Sequence, residues 1–94
     1  MKFVVKHEIK GRIRVHFCQK RMTFEEADTL QYYLNSQEMI TSSKVQERTQ
    51  DATICYTGDR ASVIALLRSF HYEKVDVPDV YRQNSGRATN REYW

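Results

Sequence analysis

The chain has 94 residues and a mass of 11.2 kDa, enough for one domain with a single core but not for a deep enclosed substrate cavity, which argues against an elaborate enzyme. Its formal charge of +3 comes from 15 basic against 12 acidic residues, a mild preference for acidic partners with nothing resembling a polybasic tail. No run approaches the roughly 18 apolar residues of a membrane helix, and no signal-peptide core precedes Cys18 and Cys55, so two free thiols in a reduced cytosolic setting are expected.

Residues 2–9 are strand-like, and the Lys10-Gly11 step reads as a bulge or sharp bend before the next strand. Residues 11–17 alternate in period two: Ile13, Val15 and Phe17 point one way, Arg12, Arg14 and His16 the other, as in a half-buried strand. Thr23 and Glu26 have the spacing of a capping box, so a helix is expected from Thr23 to about Ser36. It places Ala27, Leu30 and Leu34 on one face, Phe24 and Tyr33 at its margins, and Glu25, Glu26, Asp28 and Gln31 mostly elsewhere.

Residues 44–49 offer a second strand, with Gln50-Asp51 as a tight turn into residues 52–57. There Ala52, Ile54 and Tyr56 face inward, and Thr53, Cys55 and Thr57 outward. Asp59 is a suitable N-cap for a second helix ending near His71, with the stripe Val63, Leu66, Leu67 and Phe70. Val75 and Val77 alternate with Lys74 and Asp76 in a short last strand that Pro78 ends. Residues 79–94 are polar and aperiodic and read as a tail or linker toward a larger protein, leaving residues 1–78 as the domain. Strand, helix, strand, strand, helix, strand predicts an α+β fold, the ferredoxin-like βαββαβ sandwich, with a four-stranded antiparallel sheet and two helices on one face. That fold hosts many activities, so function has to be argued from sites.

The strand Gly11-Arg12-Ile13-Arg14-Val15, the helix opening after Met22-Thr23, the arm running from Thr49 to Tyr56 and the exit Phe70-His71-Tyr72 together resemble a heavy-metal-associated domain. Gly11-Arg12-Ile13-Arg14 after a His-containing strand, with Gly86-Arg87-Ala88 and Asn90-Arg91-Glu92-Tyr93 in the tail, resembles more specifically the amino-terminal segment of bacterial heavy-metal-translocating P-type ATPases. Metal carriers of that family use Met-x-Cys-x-x-Cys at this strand-to-helix junction, where the helix N-terminus lowers the thiol pKa and two thiolates grip a soft ion. Matching the Met22-Thr23 pair literally puts Phe24 and Ala27 in the cysteine places; matching the apolar stripe Leu30 and Leu34 puts Thr23 and Glu26 there. The stripe is the better guide, because burial sets the phase of a helix. Neither register supplies a thiol, so no metal site, catalytic residue or bound cofactor is expected in this segment. The resemblance implies a cytoplasmic regulatory or docking domain whose partner is the rest of a parent pump in the cell membrane, with ATP, magnesium and a transported heavy-metal cation belonging to that parent.

Other constellations have plainer readings. His16, Cys18 and Cys55 share an outward parity and are the substitutes available for a metal-sensing site, but their spacing is looser than a ligand set normally shows. His7 and His71 read as surface or packing histidines, and Tyr32, Tyr33, Tyr56 and Phe70 as core or helix-flank aromatics. An RNA-recognition domain has the same element order, but it stacks bases on aromatics of its central strands. Here those positions hold Arg12, Arg14, His16, Thr53 and Cys55, so no nucleic-acid partner is expected. An acylphosphatase needs an Arg-bearing loop, which Lys20 and Arg21 could imitate, and an Asn on a strand; Asn35, Asn84 and Asn90 all lie outside the predicted strands.

Overall fold

Ile13, Val15 and Phe17 have no exposed surface while Arg12 and Arg14 are exposed, the alternation expected of a strand with one wet face. In the structure, a computed structural model that describes residues 1–84, this strand is the second of four. The first, β1 (Phe3–Ile9), pairs antiparallel with β2 (Arg12–Phe17) from Phe3 opposite Phe17 to Ile9 opposite Arg12. The Lys10-Gly11 step, expected as a bulge or sharp bend, is therefore a full hairpin reversal. Gly11 makes it with φ +81°, a left-handed conformation that glycine adopts without penalty.

This hairpin changes the wiring while keeping the architecture. The sheet is antiparallel in the order β1-β2-β4-β3, with β3 spanning Ile40–Gln46 and β4 spanning Asp51–Tyr56. The edge place beside β2, expected to go to residues 75–77, is taken by β1. A strand has two sides, and β4 holds the other side of β2. The chain after the second helix instead makes one 3₁₀ turn, Tyr72–Lys74, and Val75 packs half-buried against the core.

Helices α1 (Phe24–Asn35) and α2 (Arg60–Ser69) place Ala27, Leu30 and Leu34 and Val63, Leu66 and Leu67 in one cluster with the inward residues of β2 and β4. The molecule is thus an α+β fold consistent with the ferredoxin-like architecture, with one sheet face covered and the other open. The N-cap Asp59 accepts from the Ala61 N–H at 3.1 Å, as its position before the apolar stripe suggested. Strand β3 starts four residues earlier than its sequence pattern showed, and Asp51 opens β4 instead of sitting in the turn. That turn is residues 47–50, with Gln50 at φ +60°.

Residues 79–84, read from sequence as part of a polar tail, form the helix α3 (Asp79–Asn84) against α1. Tyr81 meets the Tyr32 ring edge-on at 5.2 Å, and Arg82 donates to the Glu25 carbonyl at 3.2 Å and to Thr29 Oγ1 at 3.1 Å. Glu25, Asp28, Thr29 and Tyr32 form one stripe of α1 at helical spacing. Asp28 and Thr29 are buried there, off the apolar face that packs on the sheet. The stretch 86–93, part of the resemblance above, lies outside the described residues.

Candidate functional site

Two regions hold the residues singled out from the sequence: the β2–α1 junction and the open sheet face. At the junction Thr23 is extended (φ −81°, ψ 165°), so its side chain folds over the first turn of α1. The Glu26 N–H donates to Thr23 Oγ1 at 3.1 Å, and the Thr23 N–H donates to Glu26 Oε1 at 2.9 Å. Both groups are thereby committed to the helix start. The alternative pair faces no common site: Ala27 is wholly buried, Phe24 is half-buried, and Met22 is part of the core.

Gln19, which the sequence reading passed over, braces this junction and ties it to two distant parts of the chain. Its amide donates to the Arg21 carbonyl at 2.6 Å and to Glu26 Oε1 at 3.3 Å. Its carbonyls accept from the Tyr72 hydroxyl at 2.6 Å and, on the backbone, from the Gln50 amide at 2.7 Å. Burial and the charge of Glu26 hold the Tyr72 hydroxyl well above its usual pKa, against the opposing effect of the Gln19 hydrogen bond, so it stays protonated. The loop is a closed polar network, and its links to Tyr72 and Gln50 have no signature in local sequence.

On the open face the registers align side chains into rows across the sheet. Val4, His16, Asp51 and Gln46 form one, His7, Arg14, Thr53 and Lys44 the next, and Ile9, Arg12, Cys55 and Ser42 the third. Asp51 is the organising group. His16 Nδ1 lies 2.8 Å from Asp51 Oδ1, while Lys6 Nζ and Arg14 each approach Oδ2 at 3.6 Å. Among these neighbours the Asp51 side chain is 6% exposed. Burial pushes its pKa up, but the His16 hydrogen bond and the charges of Lys6, His16 and Arg14 outweigh this and leave it below the usual 3.8.

The substitute metal residues are not brought together. His16 pairs opposite Asp51 and Cys55 opposite Arg12, four residues apart along the sheet, or about 13 Å. Cys18 is exposed beyond the end of β2, where its N–H donates to the Lys2 carbonyl at 3.0 Å. Among the described residues no group of three His, Cys, Asp or Glu side chains is placed to hold an ion. His7 and His71 are exposed, Tyr56 and Phe70 are buried, and Tyr33 tilts against Phe70 at 5.0 Å. Asn35 ends α1, where its Oδ1 accepts from Ser43 at 2.7 Å, and Asn84 ends α3, so neither stands on a strand. No helix among the described residues is long and apolar enough to cross a membrane. Comparison with protein-family models, with curated proteins and with solved structures found no match to this chain.

Proposed function

We propose that this chain is the amino-terminal, heavy-metal-associated-like domain of a heavy-metal cation-transporting P-type ATPase, serving as a cytosolic docking or regulatory module without thiolate ligands of its own. The observation that carries the reading is the β2–α1 junction. The strand-to-helix step at which related carriers keep paired cysteines is here closed by the reciprocal Thr23–Glu26 bonds and held by Gln19. A carboxylate and a hydroxyl that spend themselves on capping a helix do not grip a soft ion. The resemblance supplies the rest of the reading: a parent in the cell membrane, with ATP, magnesium and the transported cation acting there.

Two other readings meet specific obstacles. Metal sensing through His16, Cys18 and Cys55 requires side chains that the sheet registers hold apart. An RNA-binding surface of this fold stacks bases on its central strands, and β2 and β4 present no Phe, Tyr or Trp outward. The coding sequence beyond Trp94 tests the proposal. Membrane helices and an Asp-Lys-Thr-Gly-Thr phosphorylation loop are the expected outcome, and a stop codon directly after Trp94 overturns the parentage.

A further inference from the structure

The charge of this protein is not spread evenly. The outward face of the four strands carries the cations Lys6, Arg12, Arg14 and Lys44 and the single anion Asp51. That formal excess of +3 equals the excess of the whole 94-residue chain, so the rest of the molecule is balanced. The one anion is also hidden: Asp51 is 4% exposed, whereas the Lys6 and Arg14 side chains are 49% and 54% exposed. An approaching partner therefore meets a positive surface on the side the helices leave open.

We infer that this open sheet face is a docking surface for a carboxylate-rich protein segment. Arg12 and Arg14 lie two residues apart on β2, which spaces their Cα atoms about 6–7 Å apart along the strand. Glutamates one helical turn apart, about 5–6 Å between Cβ atoms, match that spacing and the forked geometry of each arginine. The neutral Ser42, Gln46 and Thr53 among the cations add hydrogen-bonding groups without opposing charge. Phosphate partners fit less well. Single-stranded nucleic acid draws affinity from aromatic stacking that this face lacks. A lipid surface favours clustered apolar insertion, and the exposed Val4 and Ile9 stand about 16 Å apart on the edge strand.

The size of the face sets the strength of the contact. Four strands about 4.8 Å apart and about six residues long present roughly 400 Å², half the usual area per partner in a stable complex. Docking here is transient, fast and sensitive to salt. The inference stands on the charge distribution and does not require the ATPase parentage.

Three labelled probes test it against the full chain by fluorescence anisotropy: a helical peptide with glutamates at i and i+4, a single-stranded oligouridine, and vesicles containing anionic lipid. The peptide should bind, with affinity falling about tenfold or more between low and physiological salt. The double variant R12E/K44E spares every side chain touching Asp51 and should lose about tenfold or more in affinity. R68E/K74E, with the same charge change on the helical side, should stay within about twofold. Thermal melts establish that both variants remain folded. Equal losses in the two variants, no peptide binding at low salt, or tighter binding of oligouridine or vesicles than of peptide would each overturn the inference.

Discussion

Thr23 carries little of the surface of this protein and much of its local order. Its hydroxyl satisfies one backbone donor at the start of α1 and its own N–H is satisfied by Glu26. Thr23→Ala should cost about 1 kcal/mol in a urea melt, and an unchanged midpoint would mean that the cap contributes nothing. Asp51 is the opposite case, a residue placed in a turn by its neighbours in sequence and buried among cations by the sheet. Its folded pKa is depressed, so its contribution is present above the unfolded value of 3.8 and is lost as pH falls through the lower folded value. Asp51→Asn should therefore destabilise at neutral pH by about 1–3 kcal/mol, since Lys6, Arg14 and His16 lose their shared acceptor charge. The gap between wild type and variant should narrow as pH falls below 3.8 and the carboxylate becomes protonated. A gap that persists there would assign the loss to packing rather than to charge.

Among the elements, the β1–β2 hairpin has the largest effect on the wiring. Its turn depends on the left-handed Gly11, where a Cβ would meet only the Tyr56 carbonyl, at an ordinary 3.5 Å. Gly11→Ala should thus cost about 1–2 kcal/mol through backbone strain rather than collision, readable as a lower melting temperature. The two helices were legible because caps and apolar stripes are local: Thr23, Asp59 and the Leu30, Leu34, Val63 and Leu67 positions stand where their spacing put them. Strand β3 was legible only in its second half. Its first half reads Ile-Thr-Ser-Ser, an edge strand with a register shift after Ile40 and no apolar alternation to reveal it. Helix α3 was hidden for a similar reason, since six residues are too few to show a period and its docking rests on Tyr32, Glu25 and Thr29 of a distant helix.

For the molecule as a whole, the sharpest prediction concerns metal. Titrating the reduced chain with Cu(I) or Zn(II) against a competing chelator should give no stoichiometric site of nanomolar affinity. Structural zinc sites gather four ligands within about 2.3 Å of the ion, and His16 and Cys55 are held about 13 Å apart along the sheet. Tight binding that Cys18→Ser or Cys55→Ser abolishes would move the site onto the sheet and favour metal sensing over the docking role proposed above. What the sequence by itself determined is what short-range physics encodes: period-two burial in β2 and β4, period-3.6 burial and caps in α1 and α2, and hence the α+β class and the absence of thiols at the junction. Which strand flanks β2 was decided by tertiary structure, because residues 2–9 and 75–77 both read as strands. A two-residue hairpin places the first beside β2 with little loss of chain entropy, while the second has to return from the far end of α2. The cluster at Asp51 and the gathering of charge on one face are decided at the same level. Lys6, Arg14, Lys44 and Asp51 come from four different strands, and only the antiparallel registers turn a modest composition into a concentrated surface.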